Sequence, residues 1–225
     1  TLVAVVFFLR REIAEIIASF LPEKEPSASP QRHPSMEKSA NRRLALWIVV
    51  ATFLTGMIGL LFRERIESLF ESAATASCML LITGILLFLS DRVKMNRRGK
   101  EEMNLADGIV LGLVQAAALI PGISRSGSTI AFGIFRGLER KTAAKVSFLM
   151  SIPAIAGAAL LKAADLIRFP VNDLPALGAG FLAAAVTGFL SLKLLFVAIN
   201  KTGLAPFAWY CWIFGTATLI LLGLG

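Results

Sequence analysis

The sequence predicts an all-α fold, a polytopic membrane helix bundle with a re-entrant helix-loop-helix hairpin, and three observations support it. Of the 225 residues, 56% are hydrophobic and 17% are charged, whereas a soluble domain averages about 25% charged residues. Five long apolar segments follow one another along the chain. A shorter apolar region, divided by a polar glycine turn, lies between the second and third of them. We therefore treat residues 1–225 as a single integral membrane domain.

The five predicted spans are stretches with at most one charged residue. A spanning helix needs about 20 apolar residues, and the stretches cover 44–62, 72–90, 146–161, 174–199 and 203–225. Residues 1–9 are apolar but too few to cross, so we interpret them as the end of a further span. This interpretation predicts that the chain is an N-terminally truncated piece of a longer protein.

The polar loop 22–43, the sole histidine and the two cysteines are not predicted to form a catalytic or metal site. Residues 22–43 contain four prolines among Ser, Lys and Glu, a composition typical of a flexible loop, here placed in the cytoplasm. The sole histidine, His33, lies in this loop and is predicted to be solvated. Cys78 and Cys211 fall within apolar stretches and have no metal-ligand spacing, so they are expected to pack as small hydrophobic residues.

The apolar region 107–138 does not fit one spanning helix. Its first arm, 107–120, would be about 21 Å long as a helix, against about 30 Å for the hydrocarbon core, and its second arm, 128–138, is shorter still. If both arms return to the same side, 18 of the 23 Lys and Arg face one side and four face the other. This asymmetry is typical of cytoplasmic loops. It also accounts for the net charge of +8, so no nucleic-acid partner is expected.

The tip of this hairpin has the sequence Pro-Gly-Ile-Ser-Arg-Ser-Gly-Ser-Thr, residues 121–129. A cation at membrane depth is costly and marks a functional site, and the planar guanidinium of Arg125 suits phosphate. Ser and Thr residues at the start of the second arm are good N-caps, and a helix N-terminus binds anions. The tip is therefore predicted to bind phosphate. The alternative is a purely structural role, a tight turn in which Arg125 donates hydrogen bonds to helix-end carbonyl groups.

The chemistry of phosphate transfer is incomplete at this tip. Ser124 or Ser126 could donate hydrogen bonds or attack phosphorus, but a hydroxyl nucleophile needs a base. Phosphoryl transfer normally uses a general base or a metal held by carboxylates, and no acidic residue lies between 108 and 138. Glu12 and Glu15 are expected to pair with arginines. Gln115, on the first arm, either orients a substrate or ties helices together.

The chain resembles the undecaprenyl-diphosphate phosphatase family of the bacitracin-resistance type. The match is carried by Gln115, by the nonamer 121–129, and by the run Ser147-Phe148-Leu149-x-x-Ile152-Pro153. The resemblance implies a bundle with two re-entrant hairpins from an interleaved inverted repeat, of which 107–138 is one half. It implies removal of the terminal phosphate of a C55 polyprenyl diphosphate, which recycles the lipid carrier of cell-wall synthesis in the bacterial plasma (inner) membrane.

Site residues follow from the same resemblance. Ser124, Arg125 and Thr129 are expected to be catalytic. The residues expected to contact the substrate are Gln115, Gly122, Ser126, Gly127 and Ser128. The family also uses a divalent cation, Mg²⁺ or Ca²⁺, held by two glutamates of a first signature expected upstream of Thr1, so no metal ligand is expected in this chain. The chain alone is accordingly expected to be inactive.

Three other functions compete with this one. A transporter or flippase could use the Arg125 loop to bind a lipid phosphate without cleaving it, because inverted repeats and broken helices also serve transport. A phosphatase of the phosphatidic-acid type needs a histidine soon after its Ser-Arg element, and none follows Arg125. A non-catalytic scaffold does not explain why a cation, Arg125, lies within an apolar region. The partner expected is a membrane lipid substrate, and a homodimer is left open.

Overall fold

The computed structural model describes residues 1–22, 34–93, 98–161 and 174–223. These residues form ten α-helices and a 3₁₀ turn at Lys100–Glu102, with no β-strand among them. In chain order the helices are α1 Leu2–Phe8, α2 Arg10–Ala18, α3 Pro34–Leu61, α4 Arg63–Leu69, α5 Ala73–Arg92, α6 Leu105–Ala117, α7 Arg125–Phe135, α8 Arg140–Leu161, α9 Leu174–Lys201 and α10 Ala205–Gly223.

Five of these helices are long and apolar enough to cross a membrane. They are α3, α5, α8, α9 and α10, and each covers one of the five predicted spans. Many large apolar side chains on them remain exposed, such as Phe53 and Leu194, as expected where lipid replaces water. The predicted fold class, an all-α multi-pass membrane bundle, is confirmed.

The first spanning helix starts earlier than predicted. α3 begins at Pro34, so residues 34–43 of the predicted flexible loop are helical. Proline is tolerated in the first turn of a helix, where its missing N–H has no partner to lose. The extra turns also pack against α2, because Ala40 and Leu44 are buried and Arg42 donates to the carbonyl of Ser19 at 2.6 Å. The rest of the predicted loop, including His33, lies outside the described residues.

The spans are arranged around the hairpin arms α6 and α7. α6 packs along α3, while α7 packs between α5 and α8. The glycines of the arms face these neighbouring spans. A Cβ at Gly112 would come within 2.7 Å of the Cα of Ala51 on α3, and one at Gly133 would lie 2.9 Å from the Cβ of Ala143 on α8. The small residues therefore allow close contact between each arm and a span.

The span α5 is also fastened to the last helix. The Oδ2 of Asp91, near the end of α5, accepts from the backbone N–H groups of Leu204 and Ala205 at 2.7 and 2.6 Å. These N–H groups lie at the start of α10, where a negative charge is favourable. Arg140 of α8 lies 3.0 Å from the other oxygen of Asp91. One carboxylate thus joins the ends of α5, α8 and α10.

Candidate functional site

The hairpin consists of α6, with 13 residues, and α7, with 11 residues. Both helices are shifted toward the N-terminus relative to the prediction, since α6 ends at Ala117 and α7 already begins at Arg125. The N-cap of α7 is Ser124, whose Oγ accepts from the N–H of Gly127 at 3.2 Å. Ser126, Ser128 and Thr129 therefore lie inside the helix and do not cap it.

The two arms meet again at their bases through Asp107. This carboxylate is fully buried and lies 2.8 Å from Arg98 and 2.8 Å from Arg136. Asp107 stands in the first turn of α6, whereas Arg136 follows the last turn of α7. Arg98 also donates to the carbonyl of Arg136. The hairpin therefore begins and ends at the same place, as a re-entrant element must.

Residues before and after the hairpin share one polar cavity. The cavity measures about 560 Å³, and both Lys100 and Lys141 line it. Two carboxylates of α2 form ion pairs there. Glu12 lies 2.6 Å from Lys145, and Glu15 lies 3.5 Å from Lys100. The prediction that these glutamates pair with arginines is wrong, because lysines supply the charge.

Glu12 is held ionised in this cavity. Partial burial by itself raises the pKa of its carboxyl, but the hydrogen bond and the charge of Lys145 outweigh that effect. The pKa of Glu12 therefore lies below its ordinary value of 4.5. Both Glu12 and Glu15 are thus committed to ion pairs with lysines at this end of the bundle.

The tip loop lies directly on α5. Gly122 has φ +90°, a conformation that suits glycine, and a Cβ there would come within 2.0 Å of the carbonyl oxygen of Ala76. About two turns further along α5, the Oγ1 of Thr83 lies 3.2 Å from the carbonyl oxygen of Gly122. The same Oγ1 accepts from the N–H of Ser124 at 3.1 Å. The span therefore fixes the loop on both sides of Ile123.

Arg125 occupies the first position of α7 with its guanidinium group unused. Within the described residues, this side chain makes no hydrogen bond or ion pair. The backbone N–H groups of Arg125 and Ser126 likewise have no acceptor in the described part of the chain, whereas that of Ser128 bonds to the carbonyl of Ser124 at 2.8 Å. A guanidinium and two free N–H groups at a helix N-terminus form an anion-binding arrangement.

The remaining hydroxyls of the tip differ in their surroundings. Thr129 is buried, donates to the carbonyl of Arg125 at 2.8 Å and lies 2.6 Å from the Oγ of Ser147 on α8. The Oγ of Ser128 is buried and has no partner among the described residues. Ser126 is only partly buried. The hydroxyls nearest to Arg125 in sequence, on Ser124 and Ser126, are thus the ones accessible to a ligand.

Gln115 lies on α6, two residues before the last residue of that helix. It is fully buried, and its Nε2 donates to the Oγ1 of Thr55 on α3 at 3.1 Å. Its carbonyl oxygen has no partner among the described residues. The amide therefore ties α6 to α3. The structure brings Ser124, Arg125 and Ser126 together at the start of α7, whereas the hydrogen bond described for Gln115 joins it to α3.

Two residues of the site could not be selected from the sequence. Thr83 lies within a predicted apolar span, and Ser147 belongs to the family match without a role of its own. Hydroxyls within membrane helices commonly bond to their own backbone, as Ser77 does at 2.8 Å. Nothing in the sequence distinguishes Thr83 from such residues, because its loop contacts join positions about forty residues apart.

The fold and this site together define a class of protein, a multi-pass membrane protein whose helix bundle holds a hairpin loop with an unpaired arginine and free N–H groups among the described residues. Comparison with known proteins refines this class. The chain belongs to the bacitracin resistance protein BacA family, whose model matches residues 1–217. The predicted resemblance is therefore confirmed.

Named relatives agree with the family match. A protein named undecaprenyl-diphosphatase from Methanobrevibacter smithii is 38% identical over 216 residues, which is 96% of this chain and 78% of the relative. One with the same name from Moorella thermoacetica is 40% identical over 210 residues, covering 93% and 75%. A third, from Methanothermobacter thermautotrophicus, is 43% identical over 176 residues, covering 76% and 97%.

Proposed function

We propose that this protein is an undecaprenyl-diphosphate phosphatase, which hydrolyses undecaprenyl diphosphate to undecaprenyl phosphate and inorganic phosphate. The relatives named undecaprenyl-diphosphatase support hydrolysis over simple carriage of the lipid. In this role the protein recycles the lipid carrier of cell-wall synthesis and contributes to bacitracin resistance. We place it in the plasma (inner) membrane, in agreement with its five apolar helices.

The observation that carries the proposal is the N-terminus of α7. It presents the unpaired guanidinium of Arg125 and two free backbone N–H groups within a bundle of membrane helices. A terminal phosphate carries negative charge on several oxygens, and these donors can contact more than one of them. Such donors stabilise charge that develops during phosphoryl transfer, because they are already oriented before the reaction.

The hydroxyls of the tip have distinct proposed roles. The Oγ of Ser124 accepts the N–H of Gly127, so its own proton is free to be donated to a phosphate oxygen. Ser126 can do the same from the next position. The hydroxyl of Thr129 is bonded to Ser147 and to its own helix, so it holds the first turns of α7 in place. Gly122 and Gly127 let the backbone approach the phosphate. Ser128 and Gln115 stay expected substrate contacts, and each has a buried polar oxygen with no partner among the described residues.

A divalent cation is part of the proposal only through the family resemblance. Guanidinium and hydroxyl groups are poor ligands for Mg²⁺ or Ca²⁺, which prefer carboxylate oxygens. The described residues hold no group of three or more His, Cys, Asp or Glu side chains placed to bind a metal. The tip residues described here therefore do not fit a tightly held cation, and we assign them no step that depends on one.

The test is phosphate release from undecaprenyl diphosphate by the purified full-length gene product, with and without a chelator. Arg125→Lys keeps the charge but removes the planar fork. We expect this variant to lose about 10²-fold in kcat, the loss typical for one oriented donor. Loss of activity in the chelator would support the cation, whereas chelator-resistant turnover would oppose it.

The matched control is Arg65→Lys, which makes the same chemical change at an exposed position on α4. It should leave the rate unchanged. If Arg125→Lys were expressed normally and kept more than half of the activity, the proposed role of Arg125 would be wrong. If the wild-type protein bound the lipid but released no phosphate under any cation condition, the carrier alternative would replace hydrolysis.

A further inference from the structure

Thr83 makes contacts that its position in a membrane span does not require. Its side chain is fully buried in the middle of α5, and its Oγ1 lies 3.1 Å from the carbonyl oxygen of Met79, four residues earlier. That bond alone satisfies a hydroxyl in a helix. The same oxygen nevertheless accepts a hydrogen bond from the backbone N–H of Ser124 and lies within hydrogen-bonding distance of the carbonyl oxygen of Gly122. One hydroxyl group thus bonds to its own helix and to the tip loop.

These contacts fix the segment that leads into α7. The carbonyl of Gly122 and the N–H of Ser124 flank Ile123. The N–H of Ser124 donates to the Oγ1 of Thr83, and the carbonyl of Gly122 shares the one hydroxyl proton of Thr83 with the carbonyl of Met79. The peptide groups on both sides of Ile123 cannot rotate without breaking one of these bonds. The close approach of Gly122 to the backbone of Ala76, about two turns earlier on α5, restricts the same loop. The start of α7 is therefore set by α5.

The bond to Thr83 also selects which N–H groups remain available. The N–H of Ser124 is taken by Thr83, and the N–H of Gly127 is taken by the Oγ of Ser124. The N–H groups of Arg125 and Ser126 are left without acceptors in the described residues. The direction in which these two groups point depends on the dihedral angles of Ser124. Thr83 therefore controls the orientation of the free donors from a different span.

We propose that Thr83 is a positioning residue for the tip loop, which aligns the donors of Arg125 and Ser126 with the reacting phosphate without touching the substrate. This inference rests on the proposed function of the loop in phosphate release. Its consequence is that the hydroxyl of Thr83, rather than its volume, determines the rate. A misplacement of about 1 Å in such a site can cost about 10²-fold in rate.

The experiment compares Thr83→Val and Thr83→Ala with Thr83→Ser in purified full-length protein, with undecaprenyl diphosphate as substrate. Val keeps the shape and removes the hydroxyl, Ala removes both the hydroxyl and the methyl group, and Ser restores the hydroxyl. We expect kcat to fall about 10- to 100-fold in the Val and Ala variants. The Ser variant should stay within about threefold of the wild type. The loss should appear in kcat more than in KM, because misaligned donors weaken contacts that strengthen in the transition state.

The matched control is Thr52→Val on α3. Thr52 is a partly buried threonine whose hydroxyl bonds only to the carbonyl of Ile48, at 2.7 Å, among its described contacts, so its loss should leave kcat unchanged. Rates are normalised to folded protein recovered by size exclusion, which separates misfolding from misalignment. Full activity in both Thr83→Val and Thr83→Ala would overturn the inference, and so would equal losses in the Ser and Val variants. An inactive wild-type protein would instead refute the proposed function.

Discussion

Replacing Asp107 by Asn should loosen the base of the hairpin and lower the thermal stability of the protein. The carboxylate is fully buried between Arg98 and Arg136, at 2.8 Å from each. It also accepts from the N–H of Asn104 at 3.0 Å. An amide of the same size keeps one acceptor oxygen, but its NH₂ group would face an arginine donor. At least one charge-assisted hydrogen bond is lost, and both arginines lose their counter-charge.

The size of the effect follows from the exposure of the partners. Removing one member of a fully buried ion pair costs about 3–5 kcal/mol. Arg98 and Arg136 remain 26% and 35% exposed, so water can partly solvate them, and the lower end, about 3 kcal/mol, is appropriate. For a chain of this size, 1 kcal/mol shifts the melting temperature by about 2–4 °C. Asp107→Asn should therefore melt roughly 6–12 °C below the wild type.

The assay is thermal unfolding of the detergent-solubilised protein at neutral pH. Glu67→Gln is the control, because the pair Arg63–Glu67 has side chains 66% and 60% exposed and such exposed pairs contribute at most about 1 kcal/mol. It should melt within about 3 °C of the wild type. If Asp107→Asn melted as the wild type does, the buried carboxylate would not hold the two arms together.

Two further predictions concern the end of the bundle where the hairpin begins and ends. The pKa of Glu12 is lowered from its ordinary value of 4.5. Its ion pair with Lys145 therefore stabilises the protein at pH values above 4.5, and this stabilisation is lost as the pH falls through the lowered pKa. The difference in melting temperature between wild type and Glu12→Gln should be constant near neutral pH and vanish in acid, and a difference that persisted in acid would contradict the assignment. Separately, single cysteines replacing Lys100 and Lys141, in a background without Cys78 and Cys211, should react with an impermeant thiol reagent only after the cells are opened. Labelling of position 141 but not 100 in intact cells would mean that the hairpin crosses the membrane.

The spans could be predicted from the sequence because their length is fixed by the bilayer. About 20 apolar residues are needed wherever the chain crosses, so composition alone finds α5 or α10. Helix ends are not constrained in this way. α3 begins at Pro34, ahead of the apolar stretch, because Arg42 donates to the carbonyl of Ser19. This tertiary contact cannot be predicted from the local sequence. The five predicted spans are therefore correct, but several of the helices begin or end at other residues than predicted.

The site was predictable to a similar degree. Arg125 stands out because a cation within an apolar region is rare, and the surrounding glycines and serines predict a turn. The sequence offers four hydroxyl residues within positions 124–129, each of which could cap a helix. The choice of Ser124 depends on the contact between its N–H and Thr83. A residue that acts through a distant span, as Thr83 does, has no local signature.

The double attachment of α5 has a consequence for how the protein is made. α5 supports the tip loop through Thr83. α5 itself packs against α10, where Trp212 donates to the carbonyl of Leu81 at 3.2 Å. A chain leaving the ribosome inserts its N-terminal helices first, so α5 and the hairpin enter the bilayer before α10 exists. During that interval α5 lacks its main packing partner. The support of the tip loop by α5 is therefore complete only once α10 has been synthesised, although α10 contributes no residue to the tip loop.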